Sequence, residues 1–485
     1  MMPLAGPKQR YLIPLGLSLL LCALLYLTMG QAPIHADESF CCSAGNTYAA
    51  WFEHPFRGGI DLYWRPNHEH PPFGKIIGGI ATQFAPDWPG GFDIVEALPV
   101  FRLQNLVYCF ALSFIMYLWA EELSNRRFAV LAALLTFFLP RLYYYAHSGT
   151  LDYPLTVLTF VTCYVFWKGL RNPRTMILCS ILLGLTLLTK VNGAFLLAFL
   201  GVWLLIAWRK ELRRKLGYIV AFAAIPPAMF LAMWPWLWPH PVARTLGYFI
   251  WMKHHLAIPV YYLGHTYLND SPWHYPFVIT ILTLPLVLLL AIGFYAFRAR
   301  KTGVDAFLIL NALFPIAVIA FLSPCKFDGV RLFLPCFPFI TLIAAMGIYH
   351  FATSPLRMAA VACALAASVA FAVHEYRQYQ ECYLNEAVAL GGWSPYFETE
   401  SGVIGYPELA PWLKAHPQAK IHIGMATSDM HRKEFDYDYI ILPSQLGAFK
   451  TNAWYYYLHK TPLVAIKEAN GLQIVGIYST RDDPK

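Results

Sequence analysis

The stretch YLIPLGLSLLLCALLYLTMG (11–30) runs directly into QAPIHADE (31–38). An apolar run of this length spans the hydrocarbon core of a bilayer, which takes about 20 residues in a helix. Lys8 and Arg10 precede it in the manner of a signal peptide. Ten further apolar segments follow, near 97–120, 127–146, 150–168, 175–190, 192–208, 216–238, 276–297, 305–322, 332–350 and 357–374, so the first is read as a retained helix. The expected fold is mainly α, a polytopic membrane domain of about eleven transmembrane helices. Composition agrees. Of 485 residues, 58% are apolar and 13% charged, and the mean hydropathy is +0.47. Soluble globular chains carry about 25% charged residues, so an ordinary soluble enzyme and a disordered chain are both excluded.

The formal charge of +8 is no nucleic-acid signature, because the positive residues sit in short clusters between apolar runs. Cytoplasmic loops are enriched in Lys and Arg. Placing the N-terminus inside puts sixteen of them in the inward-facing segments, the largest cluster being Arg209 to Lys215. Three long stretches then face outward: 31–96, 239–275 and the tail from about 375. The first is rich in Trp, Pro, Gly and His and reads as interfacial helices lying on the membrane. In the tail, KIHIGMA (420–426), YDYIILP (437–443), PLVAIKE (462–468) and QIVGIYS (473–479) read as strands, and YPELAPWLKAH (406–416) as a helix. The organisation expected is a membrane domain over 1–374 and a small extracytoplasmic α/β domain over 375–485. Ten cysteines are too few for a disulfide scaffold. Cys41, Cys42, Cys325, Cys336 and Cys382 lie in or near loops where an oxidising compartment permits a bridge without demanding one.

Ionisable groups beside membrane helices are costly and are functional candidates by default. The outward face collects Asp37 and Glu38 after the first helix, and NHEHPPFGK (67–75) with Glu69, His70 and Lys75. It also collects Asp152 in HSGTLDYPL, Lys190 in LTKVNG, His254 and His255 in WMKHHLAIP, His265, and KFDGVRLFLP (326–335) with Asp328 and Arg331. Carboxylates beside cations at a lipid–water boundary suit a substrate with an anionic head and an apolar tail, such as a polyprenyl-phosphate sugar. A carboxylate can take the proton of an acceptor hydroxyl, while Lys, Arg or a metal bears the charge of a leaving phosphate. Each residue also has a plainer reading. The Asp-Glu pair can be a solvated helix end, Lys190 a lysine reaching the interface, and the histidines hydrogen-bonding groups of an aromatic-rich loop. The cluster MWPWLWPHP (233–241) is most simply an interfacial aromatic belt.

Together, Asp37-Glu38, the downstream HPPFGK, the TLDYPL segment and KFDGVRLFLPCFP resemble the C-type glycosyltransferases over roughly residues 10–350. The nearest families are the protein O-mannosyltransferases and the bacterial aminoarabinose transferases that modify lipid A. The resemblance implies Asp37 as general base, Glu38 as its partner in shaping the acceptor site, and Asp152 as a second acidic residue. Lys75 matches the lysine of the mannosyltransferase motif. Lys75, Arg331 and Lys190 are the expected donor-phosphate ligands. Glu69 matches the zinc-binding glutamate of the aminoarabinose transferases, and His254 or His255 the accompanying histidine, which implies a divalent metal, zinc or magnesium. His70 stands where those enzymes carry lysine, so the pattern is a hybrid. His70, Asp328 and His265 complete the outer-face set. The implied activity is inverting transfer of a sugar from a polyprenyl-phosphate donor to a hydroxyl of a glycolipid, lipid A, polysaccharide or protein, at the outer face of an inner membrane. Two other classes stand beside it: a non-catalytic flippase or carrier of polyprenyl-phosphate lipids, and a structural partner in an envelope complex.

Overall fold

The chain, seen in a computed structural model, is described at residues 11–55, 59–84, 94–253, 258–268, 270–298, 302–323, 326–376, 379–397, 403–405, 409–423, 438–443, 461–467 and 473–479. Helices dominate. After α1 (Leu12–Thr28) the chain makes a two-residue strand, β1 (Ile34–His35), and enters α2 (Ala36–Trp51). Three more helices precede the bundle proper: α3 (Ile60–Trp64), α4 (Phe73–Gln83) and α5 (Ile94–Arg102). Next come α6 (Gln104–Leu123), α7 (Arg126–Phe137), α8 (Pro140–His147), α9 (Asp152–Arg171), α10 (Pro173–Leu187), α11 (Gly193–Ala207) and α12 (Leu216–Ala232). Then follow α13 (Pro241–Lys253), the hairpin β2 (Val260–Tyr262) and β3 (His265–Tyr267), α14 (Tyr275–Leu282), α15 (Leu286–Arg298), α16 (Gly303–Leu322), α17 (Phe337–Phe351) and α18 (Pro355–Tyr376).

The protein is an integral membrane protein. Five stretches among the described residues are long and apolar enough to cross a bilayer: Leu12–Gln31, Ala97–Leu123, Gly303–Leu322, Arg331–Phe351 and Pro355–Tyr376. Counting each of two bent pairs as one span raises this to seven. The expected eleven is not reached by this measure, for two physical reasons. α10, α11 and α12 are apolar but only 15, 15 and 17 residues long. The bent pairs break at proline, which removes a backbone donor and disfavours helix in the residue before it. Leu139 before Pro140 is extended, and α7 and α8 meet at 64°. α14 and α15, with Pro285 between them, meet at 113°.

Burial sorts the helices by place. The Arg331–Phe351 stretch is 89% buried and forms the centre, packed by α7, α15 and α16. Leu12–Gln31 and Pro355–Tyr376 are only 28% and 11% buried, and bare apolar side chains of this kind suit a lipid surround.

In the tail, β5 (Ile421–Ile423), β6 (Tyr439–Pro443), β7 (Val464–Lys467) and β8 (Gln473–Ser479) form one small sheet in the order β5-β6-β8-β7. β5 and β6 are parallel and the other pairs antiparallel. A short helix spans Ala410–Ala415. Each element falls inside the segment expected for it. The tail does not carry a separate core among the described residues, however, since Leu409, Ile441, Val475 and Ile477 belong to the main apolar cluster. It is also sewn to the outer loops. β4 (Val403–Gly405) pairs antiparallel with β1, His35 opposite Val403, and Tyr262 bridges Phe397. Buried Arg141 of α8 donates to the carbonyls of Glu381 and Tyr383, the latter at 3.0 Å. All nine described cysteines are free thiols; Cys325 lies outside the described residues.

Candidate active site

Asp37 owes its place to the start of α2. The His35 side chain accepts a hydrogen bond from the Asp37 amide at 3.1 Å, and the His35 amide donates to Glu38 Oε1 at 3.1 Å. These reciprocal bonds satisfy amides that a helix start leaves unpaired, and pairing of β1 with β4 holds the approach. Asp152 is the first residue of α9, a position where the helix dipole favours a carboxylate. Lys190 sits in the turn between α10 and α11. Arg331 opens the 3₁₀ turn before α17, behind Asp328 and Gly329, whose φ values of 56° and 57° reverse the chain.

The four elements converge on the Arg331 guanidinium. Its Nε donates to Asp152 Oδ2 at 2.9 Å, one terminal nitrogen to Asp328 Oδ2 at 2.9 Å, and the other to Asp37 Oδ2. Lys190 Nζ donates to Asp152 Oδ1 at 2.6 Å. Asp152, Asp328, Arg331 and Lys190 are buried, whereas the Asp37 side chain is 34% exposed. Buried charges persist only when paired, and here each has its partner. Burial raises the Asp37 carboxyl, but the charge and hydrogen bond of Arg331, together with His35 and His70, outweigh it and hold the group well below the usual carboxylate range.

The cluster closes one end of a cavity of about 470 Å³. Asp37, Glu69, His70, Lys190 and Arg331 line that end, and Phe195, Phe249, Ile319 and Leu322 are among its apolar walls. Burial, reinforced by the charges of Lys190 and Lys75, pushes the His70 imidazole down to about 3, so it is neutral at physiological pH.

Three expected residues stand elsewhere. Glu38, in the first turn of α2, is fully buried. Arg102 grips it at 2.7 and 3.0 Å, and Ser148 donates to it at 3.0 Å. Arg102 in turn reaches the carbonyls of Met29, Ala32 and Pro33, so the pair ties the end of α1 to α5. Lys75 is also fully buried. Its Nζ donates to the Asn67 carbonyl at 2.7 Å, Asn67 Oδ1 at 3.0 Å, the His70 carbonyl at 2.7 Å and the Tyr48 hydroxyl at 3.3 Å. An ammonium has three protons, and here they are shared among acceptors of the 67–70 loop and Tyr48. His265 is exposed on β3 and is absent from the cavity wall. His254 and His255 lie outside the described residues, between Met252 and Ile258, which both line the cavity. Among the described residues no three His, Cys, Asp or Glu side chains stand together as a metal-binding group. Two contributors lie outside the expected set of site residues. Arg102 is signalled only as a lone cation at the edge of an apolar run. Asn192 ties the Lys190 turn to the Arg331 segment by donating to the Leu332 carbonyl at 3.1 Å.

With this geometry in place, comparison with known proteins is informative. A sequence model of the dolichyl-phosphate-mannose-protein mannosyltransferase family matches residues 95–236. The fold is similar to that of ArnT from Cupriavidus metallidurans. Against the apo form the TM-score is 0.53 at 13% identity, covering 99% of this chain and 100% of that one. Against the form bound to undecaprenyl phosphate it is 0.54 at 15% identity, covering 76% of this chain and 65% of that one. The oligosaccharyltransferase AglB from Archaeoglobus fulgidus, in complex with an inhibitory peptide and a dolichol phosphate, aligns with a TM-score of 0.44 at 13% identity, covering 81% of this chain and 57% of that one. No curated protein matches the chain in sequence. The family resemblance read from the sequence is shared by the matched model, which takes in Asp152 and Lys190 but neither Asp37-Glu38 nor HPPFGK, and the fold is similar to that of ArnT.

Proposed function

We propose that the protein transfers a sugar from a polyprenyl-phosphate-sugar donor to a hydroxyl-bearing acceptor at the outer face of an inner membrane, with its N-terminus in the cytoplasm. One observation carries this reading: Asp37, Lys190 and Arg331 meet at one end of a cavity whose remaining wall is largely apolar. That arrangement matches a phosphate head on a hydrocarbon tail. The form of ArnT bound to undecaprenyl phosphate, whose fold is similar, supports it.

The donor phosphate lies against Lys190 and the remaining N–H groups of Arg331. Asp37 accepts the acceptor's hydroxyl proton on Oδ1, because Oδ2 is taken by Arg331. The acceptor oxygen attacks the anomeric carbon as the carbon–oxygen bond to phosphate breaks. Polyprenyl phosphate leaves with that electron pair, and a single displacement inverts the anomeric centre. A phosphate sharing Arg331 loosens its hold on Asp37 and so raises the basicity of the carboxylate once donor is bound.

A divalent cation belongs to the proposal. Four carboxylates (Asp37, Glu69, Asp152 and Asp328) stand with three cations, Lys75, Lys190 and Arg331, in and around the cavity, and an anionic phosphate adds further negative charge. Glu69, with His254 or His255, would hold the cation, and when bound it supplies charge for the leaving phosphate.

To test this reading, membranes containing the protein are incubated with a mixture of polyprenyl-phosphate sugars and the released polyprenyl phosphate is quantified by mass spectrometry. Release by wild type that falls by about 100-fold or more in Asp37→Asn, the size expected for a general base, supports it. Equal release from both removes Asp37 as the base. Release from neither, with lipid translocation intact, favours a carrier.

A further inference from the structure

α9 begins at Asp152, in the candidate active site, and ends at Arg171. At a rise of 1.5 Å per residue, Arg171 stands roughly 30 Å from that site, the thickness of a bilayer's hydrocarbon core. There the last turns of α6, α9, α15 and α17 and the first turns of α7, α16 and α18 surround a cavity of about 1030 Å³. We propose that it holds the phosphate headgroup of an anionic phospholipid from the leaflet opposite the candidate active site. The site is separate from glycosyl transfer, since its wall shares no residue with the Asp37 cavity.

Two arginines on the wall, Arg171 and Arg357, pair with no carboxylate among the described residues. Arg357 lies over the Phe351 ring at 5.4 Å and donates to Thr353 Oγ1 at 3.3 Å. A guanidinium has five N–H donors, so most of them stay open. The two carboxylates on the wall are already engaged. Glu122 accepts from Lys168 at 3.0 and 3.1 Å and from the Tyr164 hydroxyl at 3.1 Å. Asp305 accepts from the Tyr295 hydroxyl at 2.6 Å and caps the start of α16, where a helix favours negative charge. The open donors are therefore cationic. Guanidinium groups grip phosphate oxygens in pairs, and basic pockets between membrane helices take phospholipid headgroups. The surroundings select a lipid over a soluble phosphate. Trp167 and Phe294 share the wall with the arginines. Beside them Leu290, Phe297 and Leu356 stand 75, 92 and 81% exposed on α15 and α18, an apolar flank along which acyl chains can lie.

The test titrates the purified full chain, in a neutral detergent, with dioleoyl-phosphatidylglycerol and counts bound lipid by native mass spectrometry. Wild type and Asp37→Asn should bind it equally, and the zwitterionic dioleoyl-phosphatidylcholine should bind at least about fivefold more weakly. Arg171→Gln and Arg357→Gln should each weaken phosphatidylglycerol about fivefold, the scale of one cation at a lipid surface. Arg174→Gln, in the first turn of α10 but off the cavity wall, should leave binding unchanged. Both wall arginines are exposed, so the unfolding midpoint without lipid should match wild type in each variant. Equal affinity in wild type, Arg171→Gln and Arg357→Gln overturns the proposal, and so does equal binding of phosphatidylcholine. Displacement of the lipid by glycerol 3-phosphate at matched concentration marks a site for soluble phosphate. Stronger binding of short-chain polyprenyl phosphate at the same arginines marks a second place for donor lipid. Either result overturns it too.

Discussion

Lys75 and Lys190 look alike in the sequence, each a lone lysine near apolar helices on the outward side, yet they have different work. Lys190 faces the cavity through Asp152, while Lys75 pins a loop whose turn is set by Asn67 at φ 45°. Lys75→Met should therefore lower the thermal unfolding midpoint markedly, since each buried carbonyl left unmade costs about 1–3 kcal/mol. The KM for donor should rise far less than in Lys190→Met. A Lys75→Met protein of normal stability with a raised donor KM would restore Lys75 as a phosphate ligand. His70 gives a pH signature. Its imidazole titrates near 3 when folded and near 6.5 when unfolded, so between these values the unfolded chain binds more protons and stability falls as pH falls. Melting curves from pH 6.5 down to 4 should show a shallower loss in His70→Gln than in wild type. The acidic and basic types at the site were legible in the sequence, because charge beside an apolar run is conspicuous. Which of them face the cavity was not. Glu38 turns away to an arginine 64 positions on, and no local pattern records that pairing.

At the scale of elements, α2 and α4 cross in close contact through Gly45 and Gly79. A Cβ at Gly79 would collide with the Gly45 backbone, which no side-chain adjustment relieves. This crossing sets the Asp37 helix against the loop carrying Glu69 and His70. Gly79→Ala should separate the helices, lowering both the unfolding midpoint and transfer, whereas Gly217→Ala, with open space around it, should leave both unchanged within error. If Gly79→Ala matches wild type in both, the crossing does not hold the site. The apolar runs were readable from composition alone. Their breaks at Pro140 and Pro285, and the shortness of α10 to α12, were blurred by an apolar signal that continues across each joint.

Across the whole molecule, the outer face is assembled from parts far apart in sequence. β4 in the tail pairs with β1 two residues ahead of Asp37, and Arg141 clamps the start of the tail to α8. The strands of the tail were legible from their β-branched and aromatic runs; their union with the helical core was not, because long-range packing leaves no periodic trace. Removing residues 398–485 should leave a membrane-inserted protein that binds short-chain polyprenyl phosphate but transfers sugar at least about tenfold more slowly, the scale of a base displaced from its attack geometry. Undiminished turnover by the shortened chain would show that the pairing is dispensable.

The β1–β4 seam also bears on timing. The segment that brings in the carboxylate leaves the ribosome well before the strand that fixes its approach. A nascent chain thus holds its reactive group without the means to aim it, and competence for chemistry waits until that strand has been made and docked.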